Sequence, residues 1–272
     1  VLTRRCGVLG KPIAHSLSPV MHRAAYARLG LDWRYDAYEV DEVGLPGFLA
    51  GLDASWRGLS LTMPLKRAVL PLLDTVSDTA RVAGGANTVL LADGQLAGDN
   101  TDVPGIVAAL AERGVSRVES ATVVGAGATA ASFVVALRRI GLTSVRLVVR
   151  DPTRAEDLAD RAAAIGVEPR VVPLDTQGPI ADADLVVSTV PAGAVTPLAD
   201  RLVGSAGAVV DAIYDPWPTP LVTMAGDRDR IAVSGIDLLA HQAVLQVGLM
   251  TGRDVPVDAV RAPALAALGS GP

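Results

Sequence analysis

At 272 residues the chain has room for about two domains of the usual ~100–200 residues each, and with 50% hydrophobic and 19% charged residues either can bury a core. No uninterrupted apolar run approaches the ~18 residues of a membrane span, and a net charge of -5 supplies no broad cationic field, so membrane insertion and nucleic-acid binding are excluded in favour of small-molecule chemistry. Cys6 is the only cysteine, which rules out an intrachain disulfide and a cysteine-cluster metal site; with no secretory-signal pattern in residues 1–5, a reducing cytoplasm is the expected compartment.

Residues 5–9 read as a buried strand, and after the Gly10-Lys11-Pro12 turn residues 19–29 have helical apolar spacing with a proline in the first turn. A strand over 34–40, a broken helix over 42–52, a strand over 59–62 and a helix over 64–73 continue the alternation. Residues 88–91 and 95–98 flank Ala92-Asp93-Gly94, a hairpin turn, because Asp-Gly readily takes the backbone angles of a tight reversal. Asn100-Thr101-Asp102 then caps a helix running to about Glu112.

From Ser120 the spacing predicts strands over 121–124, 145–149, 170–172, 185–188, 208–211 and 231–233, with helices over 128–140 and 153–165. Short connections make a mostly parallel sheet with helices on both faces the economical topology, so the fold class is α/β. Helices over 235–250 and 257–268 follow, and the last residues are expected to fray.

Gly125-Ala126-Gly127-Ala128-Thr129-Ala130 fits G-x-G-x-x-A between an apolar strand and a helix. The first glycine permits the tight turn, the second lets backbone approach a pyrophosphate, and Ala130 allows close helix packing. About 20 residues on, where an NAD site places an acid, stands Val149-Arg150-Asp151. Arg150, with Arg154 one turn later, matches a 2′-phosphate, which predicts NADP; two solvated arginines beside Asp151 are the plainer alternative.

Three polar clusters sit where loops leave strands: His15-Ser16-Leu17-Ser18-Pro19, residues 60–66 from Ser60 through Thr62 to Lys66, and Gly85-Ala86-Asn87-Thr88 with residues 98–102. They suit a small polyhydroxylated acid. Ser16 and Ser18 offer hydroxyls at a helix N-terminus, to bind a carboxylate or simply to cap the helix. Reducing a ketone by hydride leaves an alkoxide that must receive a proton. Arginine cannot give one up at ordinary pH, and Lys11 and Lys66 are the only lysines, so Lys66 with Asp102 is the candidate pair, weighed against a surface lysine and a capping aspartate. His15, His22 and His241 lack paired ligand spacing and read as structural or loop residues, so no metal is expected, and Asp215, Asp227, Asp229 and Asp237 read as turn or cap residues.

Taken in order, Gly10-x-Pro12-Ile13-x-His15-Ser16-x-Ser18-Pro19-x-Met21-His22, Thr62-x-Pro64-x-Lys66, Gly85-Ala86-Asn87-Thr88, Asn100-Thr101-Asp102, Asp211-Ala212-Ile213-Tyr214-Asp215-Pro216 and Gln242-Ala243 with Thr251-Gly252 resemble the shikimate dehydrogenase family. The resemblance implies reversible NADPH-dependent reduction of 3-dehydroshikimate to shikimate, with Lys66 and Asp102 catalytic. Ser16, Ser18, Ser60, Thr62, Asn87, Tyr214 and Gln242 join them around the substrate. It assigns the cofactor to residues 125–130, Arg150, Arg154, Thr189, Val190, Ile213 and Gly235. It further implies a substrate domain over 1–102 completed by 236–272, a Rossmann-like NADP domain over 103–235, and an active site in the cleft between them.

Ser60 stands where the family usually has Asn, Val149 and Asp151 replace the Asn and Thr that commonly flank Arg150, and Ala194 and Met250 stand for the usual Met and Trp, which implies a looser nicotinamide wall. A quinate or aminoshikimate dehydrogenase is the nearest alternative, and a non-catalytic shikimate-sensing regulator is the alternative from another class. The acidic surface is compatible with a monomer or a homodimer.

Overall fold

The computed structural model describes residues 3–174 and 180–269; of residues 269–272, expected to fray, the last three lie outside that range. The chain forms two compact units, one of residues 1–105 and 239–272 and the other of residues 106–238. In chain order the first unit begins with β1 (Arg4–Gly10), α1 (Ser18–Arg28), β2 (Trp33–Glu39), α2 (Leu45–Ala50), β3 (Trp56–Leu61), α3 (Leu65–Ala68), β4 (Thr75–Val76), α4 (Asp78–Ala83), β5 (Thr88–Ala92) and β6 (Gln95–Asp99). Helix α5 (Asp102–Glu112) leads into β7 (Ser120–Val124), α6 (Ala128–Arg139), β8 (Ser144–Val149), α7 (Glu156–Ala164), β9 (Glu168–Pro173) and β10 (Ala183–Ser188). Then come α8 (Ala192–Val195), α9 (Ala199–Gly204), β11 (Ala206–Asp211), α10 (Pro220–Asp227), β12 (Ile231–Val233), α11 (Gly235–Thr251) and α12 (Asp258–Gly269).

The first sheet has the order β2-β1-β3-β5-β6-β4. Its first three strands are parallel, whereas β5 runs antiparallel to both β3 and β6, and the Asp93-Gly94 turn, with both residues at positive φ (51° and 78°), reverses the chain at once between β5 and β6. Leu9, Leu59, Leu61, Leu65 and Val89 fill one core of this unit, and Cys6, Val8, Tyr26, Tyr35 and Met250 fill another. Met250 is thus core: it is 4% exposed and would lie 2.7 Å from a Cβ on Gly58, so the expectation that it loosens a nicotinamide wall is corrected. An unbranched methionine fills the gap left by a strand glycine, a packing task that a cofactor wall does not share.

The second sheet is parallel throughout, in the order β12-β11-β10-β7-β8-β9. Counted from β7 this is the doubly wound order, and the chain reverses its winding direction between β7 and β10. Its inner strands β7, β10 and β11 are nearly continuous buried apolar runs, as a parallel sheet packed on both faces requires, while the edge strand β9 is half exposed.

Two expected helices are shorter than their periodicity. The 64–73 segment gives only α3 and a 3-10 turn over Leu70–Leu72, since Pro71 has no N–H to continue an α-helical ladder. The 153–165 segment opens as a 3-10 turn, Pro152–Ala155, before α7, with Asp151 capping it.

Candidate active site

Lys66 and Asp102 lie 36 residues apart in sequence, yet Lys66 Nζ donates to Asp102 Oδ2 at 2.6 Å, with only 13% and 14% of their side chains exposed. The backbone brings them together. Ala86 N–H donates to the Lys66 carbonyl (2.8 Å), and a Cβ on Gly85 would stand 3.2 Å from that oxygen, so glycine is what lets the two loops approach. Asn100 ties the other side: its Nδ2 donates to Gly85 O (2.8 Å) while its Oδ1 accepts Val103 N–H (3.2 Å), capping α5 whose first residue is Asp102.

Asn87 occupies the centre. Its Nδ2 donates to Asp102 Oδ1 (2.8 Å) and Thr101 Oγ1 (2.9 Å), with Gln242 Oε1 at 3.3 Å, and its Oδ1 accepts Thr101 N–H (2.8 Å). Gln242 reaches it from α11, which packs against α5 closely enough that a Cβ on Gly105 would lie 2.9 Å from Gln242 N. Thr62 is half-buried at the end of β3, where its N–H donates to Leu9 O (2.9 Å) and its carbonyl accepts Leu65 N–H (2.8 Å). Ser16 Oγ accepts Ser18 N–H (3.3 Å), so Ser16 is the serine that satisfies a donor of α1, and Ser18 is buried as the helix begins. Ser60 is 4% exposed, and its hydroxyl accepts from Tyr35 Oη (2.6 Å) and donates to Gln246 Oε1 (2.7 Å). Tyr214 belongs to the second unit, half-buried in the segment after β11.

Two of the three histidines are buried and one is exposed. His22 is fully buried, stacks on Tyr35 with ring centroids 4.0 Å apart, and burial holds its pKa down at about 4; His241 is buried and His15 exposed. Burial pushes the Cys6 thiol up to about 11, which keeps it protonated and unreactive. Among the described residues no group of three or more His, Cys, Asp or Glu is placed to hold a metal, and no helix is long and apolar enough to cross a membrane.

In the second unit the cofactor candidates gather at the carboxyl ends of the parallel strands. Gly125 follows β7 at φ +112°, and a Cβ there would strike Thr189 Oγ1 and lie 3.0 Å from Val190 Cγ1. Thr189 follows β10, its N–H and hydroxyl both donating to Val124 O (3.0 and 2.9 Å). A Cβ on Gly235, just past β12, would strike Ile213 O, just past β11. Gly127 is the N-cap of α6 with no side-chain cap, so that helix presents its first N–H groups uncovered, with Ala126, Ala128 and Thr129 around it and Ala130 buried behind. These features fit a pyrophosphate. Arg150 and Arg154 are exposed at the end of β8 and in the turn beyond it. Asp151 is committed elsewhere: its Oδ1 accepts Thr153 Oγ1–H (2.8 Å) and Thr153 N–H (3.1 Å), bonds that hold its pKa below the usual range. Two exposed guanidiniums thus stand beside an acid whose Oδ1 is already engaged.

Two polar residues of this cluster were not singled out from sequence: Tyr35 and Gln246. For Gln246 a signal exists, since it lies one helical turn beyond Gln242 on an otherwise apolar stretch, and two buried amides at i and i+4 mark a polar stripe.

A doubly wound sheet with a glycine turn at its switch point, carried in one chain with a lysine–carboxylate pair on a second α/β unit, defines a dinucleotide-dependent oxidoreductase with a separate substrate unit. Residues 8–89 match the shikimate dehydrogenase substrate binding domain, and residues 235–263 match the shikimate 5'-dehydrogenase C-terminal domain. The NADP(+) shikimate dehydrogenase of Methanothermobacter thermautotrophicus is 38% identical over 267 residues, covering 94% of each chain. The Mycobacterium tuberculosis shikimate dehydrogenase structure superimposes with a TM-score of 0.88 at 37% identity, over 97% of this chain and 99% of that one. The Thermus thermophilus enzyme, solved in complex with NADP(H) and shikimate, gives 0.83 at 35% identity over 98% and 100%. The chain belongs to the shikimate dehydrogenase family.

Proposed function

We propose that the chain catalyses the reversible reduction of 3-dehydroshikimate to shikimate with NADPH, a step on the way to chorismate and the aromatic amino acids. The observation that carries this reading is the 2.6 Å Lys66–Asp102 pair, shielded from solvent and steadied by Asn87, in a chain of this family. The unit of residues 1–105 and 239–272 binds the substrate, and residues 106–238 bind the dinucleotide. A lone buried Cys6 is compatible with work in a reducing cytoplasm.

NADPH, when bound, supplies the hydride that the ring ketone carbon receives. Everything else falls to the protein. Lys66 donates a proton to the ketone oxygen as negative charge develops on it, and takes one back in the reverse direction. Asp102, held by Asn87 through Oδ1, keeps Oδ2 on the ammonium and so aims it. Ser16 and Ser18, beside the N-terminus of α1, receive the substrate carboxylate, while Thr62, Asn87 and Gln242 bond ring hydroxyls, Ser60 backs that wall, and Tyr214 is a further substrate contact. Gly125 to Ala130, Thr189 and Val190 seat the pyrophosphate, Ile213 and Gly235 the nicotinamide end, and Arg150 with Arg154 the 2′-phosphate.

Absorbance of the reduced nicotinamide, followed with shikimate and quinate each paired with NADP and NAD, tests the reading. Shikimate with NADP is expected to give the highest kcat/KM. Tight shikimate binding without any absorbance change would replace the enzyme with a sensor.

A further inference from the structure

Behind the Lys66–Asp102 pair runs a line of hydrogen bonds whose direction is fixed throughout. Gln246, 1% exposed on α11, donates through Nε2 to the Asn87 carbonyl (3.0 Å) and to Thr88 Oγ1 (2.9 Å). A carbonyl only accepts, so this bond fixes which end of the Gln246 amide is nitrogen. Its Oε1 must then accept, and it does so from Ser60 Oγ at 2.7 Å. Ser60, having given its one proton away, accepts from Tyr35 Oη at 2.6 Å. On the other side Thr88 Oγ1, accepting from Gln246, gives its proton to Asn87 Oδ1 at 2.9 Å. Asn87 Oδ1 also accepts the Thr101 N–H (2.8 Å), which fixes that amide too, so Nδ2 is the atom that donates to Asp102 Oδ1 at 2.8 Å. From Tyr35 to Asp102 every proton points the same way, and the line ends on a carboxylate.

Aligned hydrogen bonds polarise one another, and a buried amide or hydroxyl with all its partners satisfied has one orientation. Gln246 is the member that joins both halves of the line, and with Leu61 N–H (2.8 Å) it fills both lone pairs of the Asn87 backbone carbonyl, which holds the main chain that carries the Asn87 amide. The Asn87 side-chain amide, whose Oδ1 accepts from Thr88 Oγ1 and Thr101 N–H, cannot flip while those bonds hold. Asp102 consequently keeps Oδ1 on Asn87 and Oδ2 on Lys66.

We propose that Gln246 is a positioning residue for the reaction: through Thr88 and Asn87 it fixes the carboxylate of Asp102, and thereby the direction in which Lys66 delivers its proton. It touches neither substrate nor cofactor. The proposal rests on the reading that Lys66 and Asp102 handle the transferred proton.

The test compares Gln246→Leu and Gln246→Glu with the unaltered chain, alone and combined with Asp102→Asn, in steady-state shikimate oxidation. Leucine removes donor and acceptor at similar volume, and glutamate keeps the acceptor for Ser60 but loses the donor to Asn87 and Thr88. Gln246→Leu is expected to lower kcat by about tenfold or more with KM for shikimate changed by less than about threefold, because only orientation at the reacting oxygen is lost. In the Asp102→Asn background the same change is expected to cost less than about twofold in kcat, since its effect passes through that carboxylate. A folded Gln246→Leu with normal kcat, or a loss of equal size in both backgrounds, overturns the proposal. Should Gln246→Leu not fold, Tyr35→Phe removes the first donor and leaves the ring stack; a fall in kcat of about twofold or more at constant KM supports the line, and unchanged kcat refutes it. Normal turnover in Asp102→Asn itself would instead remove the underlying reading of the pair.

Discussion

Lys66→Met deletes the ammonium and keeps the stem that packs beside Gly85. If Lys66 delivers the proton, kcat should fall by about 10²–10⁴-fold, the usual contribution of a positioned general acid, which is about 3–5 kcal/mol of barrier. Shikimate KM should move far less, because Asn87, Gln242 and the serines remain in place. Stability should drop as well, by an amount the geometry bounds. A fully buried carboxylate losing its partner costs about 3–5 kcal/mol, but Asp102 is 14% exposed and keeps its bond from Asn87, so about 1–2 kcal/mol is expected. Asp102→Asn should reduce kcat similarly, and the double variant should be little worse than either single one, because groups acting as one device do not lose activity independently. Initial rates over a range of shikimate concentrations, with urea midpoints for the same proteins, provide both readings. A kcat for Lys66→Met within about threefold of the unaltered chain, or single losses that multiply in the double variant, would refute the reasoning.

Gly125→Ala should destabilise the protein by about 2–4 kcal/mol and weaken NADPH binding, since its φ of +112° suits glycine alone and the new methyl would meet Thr189; thermal melting with and without NADPH checks both. Thr153→Ala removes the hydroxyl that engages Asp151, freeing that carboxylate to repel a 2′-phosphate and accept from a ribose hydroxyl, so the NADPH-to-NADH ratio of kcat/KM should fall about fivefold, the worth of about 1 kcal/mol. His22 is neutral in the folded state with its pKa held down at about 4 against 6.5 when free. The unfolded chain therefore binds the extra proton first as pH falls, and its contribution to stability, present above the unfolded value, should be lost between pH 6.5 and about 4, by on the order of 3 kcal/mol. Urea titrations across that interval should show a slope that a His22→Asn variant lacks.

Where a signal is local, the sequence displays it. The second sheet was readable strand by strand because buried parallel strands are short apolar runs bounded by turns, and Gly125 announced the switch point through its neighbours in the motif. Helix α4 escaped reading although Ser77 caps it, accepting Ala80 N–H at 3.1 Å, and Gly84 ends it at φ +66°; six residues are too few for a periodicity to show. Helix α10 carried a Thr219-Pro220 start that was likewise passed over, and α8 and α9, at four and six residues, are too short for a periodicity to show. In the active site, Lys66 and Asp102 stood out through scarcity and chemistry. Tyr35 and Gln246 did not, because their partners are distant: Ser60 and Gln246 are 186 residues apart, a separation at which no spacing rule operates. Ser60 was grouped with the substrate residues through its place ahead of the Thr62–Lys66 segment, whereas the tyrosine and glutamine that occupy its hydroxyl were not legible.

The first unit is assembled from two stretches separated by the whole of the second, and the later stretch contributes both Gln242 and Gln246. On the ribosome, residues 106–238 are all available before Leu239 is made, so the nucleotide-binding sheet can mature while the amide of Asn87 still lacks its wall. A nascent or prematurely terminated chain would thus acquire the means to hold a costly reduced cofactor without the means to spend its hydride, and turnover would begin only with the final helices.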